Sequence, residues 1–232
     1  MNEFKYGLKR GTAVGMGYFP VSFTFGLLAV TSGLSPLTAL AISMTNLTSA
    51  GQFAGIRLIA AQATYVEMAA AMFVINIRYA LMGLSLSQKL DEKISKLERA
   101  IMSFGITDEI FAIASLEDKK ISFQYMMGLV SMPYIGWSGG TLIGAATGTF
   151  IPEMLQNAMG IALYGMFIAI IVPASKKSMP ALAVTGIAVF ISSLFYWNTA
   201  FGFLSQGWSM IISAVLASLA GAFIFPQREE RN

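Results

Sequence analysis

Apolar runs long enough to cross a bilayer recur along this chain, and they decide its fold class before any motif is considered. Gly11 to Ser32, Tyr65 to Ser87, Ile121 to Ile151, Leu155 to Ser175, Met179 to Phe195 and Gln206 to Phe225 are such runs. Each approaches or exceeds the ~20 residues that span roughly 30 Å of hydrocarbon as a helix. The composition agrees: 56% of the 232 residues are hydrophobic and 12% are charged, against about 25% charged in soluble domains. The expected fold is all-α, a polytopic integral membrane helical bundle of about six to eight membrane segments, forming one transporter-sized domain over residues 1–232. The segment Met1 to Gly11 carries the charges of a signal-peptide n-region. The apolar stretch after it runs too far for a cleaved leader and reads as a retained first helix.

The chain has no Cys and no His, which removes the usual ligands of zinc and haem, thiol chemistry and the imidazole base. No metal, cofactor or catalytic residue is expected. Without a GxxxxGK[ST] sequence or a soluble domain, the chain is not expected to use ATP. The net charge of +3 comes from short Lys/Arg clusters between apolar runs. Such clusters fit the anionic face of a bilayer and not a nucleic acid.

Those clusters also set a topology, because translocated loops are poor in Lys and Arg. Lys5, Lys9 and Arg10 form one; Lys89, Lys93, Lys96 and Arg99, then Lys119 and Lys120, then Lys176 and Lys177 form others, and Arg228 and Arg231 lie in the tail. All of them fall on one side only if two segments turn back instead of crossing. Leu37 to Ile59 is interrupted by Asn46 to Gln52, and Ala100 to Leu116 is short and contains Thr107-Asp108-Glu109. Both read as broken or re-entrant half-helix pairs, leaving roughly six full crossings with both termini cytoplasmic.

Polar groups inside hydrocarbon are costly, and a central Arg or Asp costs about 2.5 to 3.5 kcal/mol on insertion scales. Here they are Arg57, Glu67, Arg78, Asp108 and Glu109, joined by Asn46, Gln52, Asn76 and Thr107. Arg78, in Asn76-Ile77-Arg78-Tyr79, lies deep in its segment, far from either surface. It serves either as a binding group or as a structural cation satisfied by a carboxylate. Glu67 lies about three turns before it on the same helical face. It looks into the same cavity or is solvated at the outer end; Arg57 is near enough to an end to snorkel. Thr107-Asp108-Glu109 caps a half-helix or faces a wet cavity, two roles that are compatible. In Ser49-Ala50-Gly51-Gln52-Phe53-Ala54-Gly55, a capping Ser and small residues either aim free helix amides at an anionic group or permit close helix packing. Packing explains Gly136, Gly139, Gly140, Gly144 and Gly148.

The chain resembles the AzlC family, the large subunits of bacterial branched-chain amino acid exporters. The resemblance is carried by Gly11-x-x-x-Gly15, Pro20 to Gly26, the Ser49 to Gly55 stretch, Asn76-x-Arg78 and Thr107-Asp108-Glu109-x-Phe111-Ala112. Past about residue 150 the similarity is mostly hydropathy and length. It implies ion- or proton-driven export of leucine, isoleucine, valine or a related small amino acid across the bacterial cytoplasmic membrane, together with a small AzlD-type membrane subunit. A zwitterionic substrate needs donors for its carboxylate, an acceptor for its ammonium and an apolar slot. Arg78 and the amides near Ser49 to Gly51 suit the first, Asp108 or Glu109 the second, and residues such as Phe53 and Phe111 the third; Asn76, Thr107 and Gln52 are further substrate-binding candidates. A transported proton would ride on Asp108, Glu109 or Glu67. A passive channel, or a structural or sensor subunit, is the alternative.

Overall fold

The computed structural model describes residues 2–148, 178–198 and 203–226, with isolated positions 154, 168, 171, 172, 175 and 176. Apart from those isolated positions, the expected crossing over 155–175 and the basic tail lie outside the described residues. In chain order the helices are α1 (Glu3–Thr31), α2 (Pro36–Thr45), α3 (Ala50–Ala60), α4 (Tyr65–Ser87), α5 (Lys96–Phe104), α6 (Asp108–Ser115), α7 (Phe123–Thr147), α8 (Met179–Trp197) and α9 (Gln206–Ile224). The fold is an all-α membrane helical bundle. Glu3–Thr31, Tyr65–Ser87, Met179–Trp197 and Gly207–Ile224 are long and apolar enough to cross a membrane. The 25-residue α7 rises about 37 Å, a length that also suffices.

Local chemistry fixes where most of these helices begin. Asn2, Ser35, Thr107, Ser122, Ser178 and Ser205 each present a side-chain oxygen to a first-turn amide, satisfying a donor that would otherwise be orphaned. Ser95 and Glu98 form a reciprocal capping box on α5. That box starts α5 at Lys96, so Lys96 and Arg99 of the basic cluster are helical, and the second broken segment begins earlier than Ala100.

Contacts group the chain into two compact units, Met1–Arg57 with Asn76–Leu163, and Leu58–Ile75 with Tyr164–Asn232. The backbone of the first unit is the seam between α1 and α7. A side chain at Gly11 would overlap the carbonyl of Leu129, and one at Gly144 would overlap that of Phe23. The absence of a Cβ therefore lets the two main chains touch. Gly136 and Gly140 serve the same seam, whereas Gly139 faces open space.

Both broken segments are present. The chain leaves helix between α2 and α3 at Asn46 to Ser49, where Ser49 takes a left-handed φ of 47°, and between α5 and α6 at Gly105 to Thr107. The α5–α6 pair begins and ends at one end of the unit. Asp91 N donates to Ile121 O at 3.0 Å and Ile121 N to Lys89 O at 2.9 Å, joining the connection before α5 to the one after α6. Lys89 Nζ donates to Ser115 O and Glu117 O. Arg10 pairs with Glu117 at 3.1 Å, and Tyr125 Oη donates to the same carboxylate at 2.8 Å. Three basic clusters, at 5–10, 89–99 and 119–120, are thus drawn to one end, as the charge pattern requires. Beneath them Leu86, Met102, Ile110, Met126 and Leu129 form a buried core.

In the second unit α8 packs against α9, and Leu58, Ala71 and Ile211 form a small core. No residue of α8 is buried.

Candidate functional site

The charged residues in the middle of the first unit are assembled by its two helix breaks. Thr107 caps α6, its hydroxyl accepting from Ile110 N at 3.4 Å, and this places Asp108 and Glu109 in the first turn, where the helix dipole favours carboxylates. Arg78 Nη1 donates to Asp108 Oδ2 in an ion pair. Its Nη2 donates to Tyr79 Oη at 3.1 Å, and the guanidinium lies 4.9 Å from the Tyr79 ring centre. Tyr79 Oη in turn donates to the main-chain carbonyl of Thr48, in the other break, at 3.3 Å. One continuous polar chain therefore runs from the α5–α6 break to the α2–α3 break through Arg78. The Arg78 and Asp108 side chains are 41% and 45% exposed. An ion pair so open within a bilayer-embedded bundle must face water or a polar ligand, because lipid would leave both charges unsolvated.

Glu109 extends the cluster to α1, where Tyr18 Oη hydrogen-bonds both Glu109 Oε2 and Thr107 Oγ1, the latter at 2.7 Å. The Tyr18 ring meets Trp137 of α7 edge-on at 5.4 Å.

At the α2–α3 break, Gln52 Nε2 donates to Ser43 Oγ at 3.0 Å, and Ser43 is 2.7 Å from Thr141 Oγ1 of α7. Phe53 N donates to the Ser49 carbonyl at 3.1 Å, so the recorded bond of Ser49 to α3 uses its main chain and not the capping hydroxyl expected from sequence. A Cβ at Gly51 would press on Thr48 Oγ1 and approach Asn76 Oδ1 to 3.2 Å; glycine here lets Asn76 lie against the break. Thr48 Oγ1, Gln52 Oε1 and Asn76 Oδ1 are buried without a hydrogen-bond partner in the protein. Three buried oxygens lacking partners at one break are costly unless a water, ion or ligand satisfies them.

The expected residues separate accordingly. Arg78, Asp108, Glu109 and Thr107 meet directly, and Asn76, Gly51 and Gln52 lie at the other end of the same polar chain. Phe53 does not offer an apolar slot: it is 2% exposed and packed edge-on against Phe25 at 5.5 Å. Phe111 is half-buried beside the core under α6. Glu67 is in the second unit, 4% exposed, accepting from the hydroxyl of Ser205, the residue that caps α9. Tyr18 and Tyr79 were not among the sequence candidates. The available signal was a phenol inside an apolar segment, a group that needs a partner when buried.

The family model for the AzlC protein matches residues 13–151, more than half of the chain and all of this polar cluster. The chain belongs to the AzlC family. Among its relatives, the inner membrane protein YgaZ of Escherichia coli is 30% identical over 80% of this chain and 78% of its own length. An uncharacterized membrane protein of Archaeoglobus fulgidus is 31% identical over 80% of this chain and 82% of its own. One from Helicobacter pylori strain J99 is 25% identical over 93% and 95%. No solved structure matches the chain. Membership of this family of membrane proteins is consistent with a role in membrane transport.

Proposed function

We propose that this AzlC protein is a secondary transporter that exports branched-chain or related aliphatic amino acids across the cytoplasmic membrane, driven by an ion gradient. The observation that carries this reading is the Arg78–Asp108 pair, half-exposed inside the bundle and tied to both helix breaks. A zwitterion can enter such a pair without changing the net charge: its carboxylate takes the guanidinium and its ammonium takes the aspartate. Both protein charges stay compensated throughout, which a site in a low-dielectric surrounding requires. The unpartnered oxygens of Thr48, Gln52 and Asn76 add acceptors for the ammonium or for water travelling with it. Phe111, about one turn on from Asp108 along the same short helix and half-buried against the core, is our candidate for the apolar surface that takes an aliphatic side chain.

The basic clusters gathered at one end support a reading in which that end is cytoplasmic and both termini lie there. The AzlC resemblance points to a small hydrophobic AzlD-type subunit, and exposed apolar side chains on α8 such as Val189 and Phe190 support a membrane partner there.

Inverted membrane vesicles test the proposal. With the protein present, labelled valine or leucine should accumulate inside against its gradient, collapse with the ion gradient, and rise when the partner is co-expressed. Movement only down the amino acid gradient, with conductance in planar bilayers, would make the protein a channel. No movement of any aliphatic amino acid, with or without the partner, would overturn the proposal.

A further inference from the structure

Asp108 and Glu109 are neighbours in sequence but not in chemistry. Asp108 is held by the Arg78 guanidinium. Protonating it would strand that cation in the bundle without its anion. Glu109 takes its hydrogen bond from a neutral phenol, Tyr18, on α1. Adding a proton there orphans no charge. Arg78, Asp108 and Glu109 together carry one net negative charge, and a proton on Glu109 brings the cluster to neutrality. The groups around Glu109 are Tyr18 from α1, Tyr79 from α4 and Asp108 on its own helix, with Arg78 of α4 held on Asp108; α7 contributes the uncharged Trp137 behind Tyr18.

The hydrogen bonds around Tyr18 show how such a proton is registered. Tyr18 Oη touches both Thr107 Oγ1 and Glu109 Oε2, yet a phenol has one proton to donate. With Glu109 ionised, Tyr18 donates to the carboxylate, and the Thr107 hydroxyl, which accepts from Ile110 N, turns its own proton to Tyr18. With Glu109 protonated, the carboxylic acid donates to Tyr18, and Tyr18 donates to Thr107. The chain reverses direction with no bond broken except that of the arriving proton to water. It also weakens, because a bond to an ionised acceptor is about twice as strong as a neutral one.

We infer that Glu109, positioned by Tyr18, is the proton-carrying group of this transporter, while Asp108 stays ionised against Arg78 and serves the substrate. The inference rests on the transport reading above and extends it to proton coupling at one named carboxylate. Loading Glu109 loosens the tie between α1 and the α5–α6 half-helix pair, so the proton is coupled to the element that holds the substrate's partner.

Two measurements test it on the full-length protein with its partner. In proteoliposomes, Glu109→Gln should lose the dependence of valine efflux on the pH gradient. Tyr18→Phe should keep that dependence and move the midpoint of the pH–rate profile upward by about one unit, the worth of one charge-assisted bond; a purely structural tyrosine would lower yield without moving the midpoint. Infrared difference spectra between high and low pH should show a carboxylic-acid C=O band that is absent in Glu109→Gln, retained in Asp108→Asn and displaced in Tyr18→Phe. A band that survives in Glu109→Gln and vanishes in Asp108→Asn would overturn the inference, as would a Tyr18→Phe profile that does not move. If the wild-type protein carries no aliphatic amino acid, the transport reading fails, and the infrared band still decides whether Glu109 is the proton site.

Discussion

Removing the charges of the Arg78–Asp108 pair one at a time and then together separates a binding site from a structural strut. The side chains are 41% and 45% exposed, which places the pair between a surface ion pair, worth about 0 to 1 kcal/mol, and a buried one, where loss of a single partner costs about 3 to 5 kcal/mol. An intermediate cost of about 2 kcal/mol is expected for Arg78→Met, which leaves Asp108 without its cation and Tyr79 without the donor at 3.1 Å. Asp108→Asn keeps an acceptor of similar shape and should cost less, about 1 kcal/mol. With both charges gone nothing is left uncompensated, so the double variant should be more stable than the sum of the single losses by about 1 kcal/mol.

Thermal unfolding in detergent reads this cycle, with about 2 to 4 °C expected per kcal/mol for a chain of this size. Valine efflux by the same preparations reads the function. If the pair is where a zwitterion docks, Arg78→Met and the double variant both lose efflux although the double variant is folded. A double variant that recovers efflux together with stability would show that Arg78 only holds the fold, and would move recognition to the amides and oxygens of the α2–α3 break.

Other consequences of the structure are checked separately. Gly11→Val should destabilise the protein by about 1 to 3 kcal/mol through overlap at the α1–α7 seam, whereas Gly17→Ala, which meets nothing within 4 Å, should not lower the unfolding temperature and by helix propensity should raise it slightly. Glu98, outside the bundle, has its pKa lowered by hydrogen bonds from Ser95 N and Oγ. Its support for α5 is therefore present above the ordinary value of 4.5 and lost as pH falls through the lowered folded value; the protection of α5 amides relative to their intrinsic exchange rates should fall in acid in the wild type but not in Glu98→Gln. The chain lacks cysteine, so a single Lys93→Cys should resist an impermeant thiol reagent applied outside intact cells; labelling there would invert the assigned orientation.

The breaks in the helices were legible because their chemistry is local. Asn, Thr, Ser and adjacent carboxylates do not continue an apolar helix, and Thr107 caps the next one in the ordinary way. The pairing of Arg78 with a carboxylate could be anticipated because an intramembrane cation demands an anion, although the sequence left open whether the partner was Asp108 or the substrate. Tyr18 could not be found in this way. It reaches Glu109 across 91 positions of sequence, and nothing in Gly15 to Pro20 marks its direction. Phe53 was misread for a related reason: an aromatic beside a break suggests a slot, and only the three-dimensional packing shows that Phe25 already fills it. The start of α5 was hidden by its own capping box, since Ser95 to Glu98 lies among basic residues that read as a loop.

The first unit joins parts of very different rigidity, and this difference bears on how it would work. Along α1 and α7 main chains touch at Gly7, Gly11, Gly15, Gly136 and Gly144, and two helices of 29 and 25 residues have most of their amides bonded internally. The half-helices are 8 to 11 residues long, so a large share of their amides lies in unbonded first turns, and each can shift without breaking many internal bonds. Tyr18 stands on the rigid side of that boundary and Thr107, Asp108 and Glu109 on the other, which makes the Tyr18–Glu109 bond a joint between scaffold and moving part. Pro20, two residues on, removes one amide from the α1 ladder and lets Tyr18 follow a small displacement. Hydrogen exchange in lipid nanodiscs should therefore divide the unit, with amides of α1 and α7 slow and those of α2, α3, α5 and α6 fast; adding valine should slow the half-helices and leave the seam unchanged. Uniform protection across all six helices would remove the mechanical basis for coupling a proton on Glu109 to the substrate at Arg78 and Asp108.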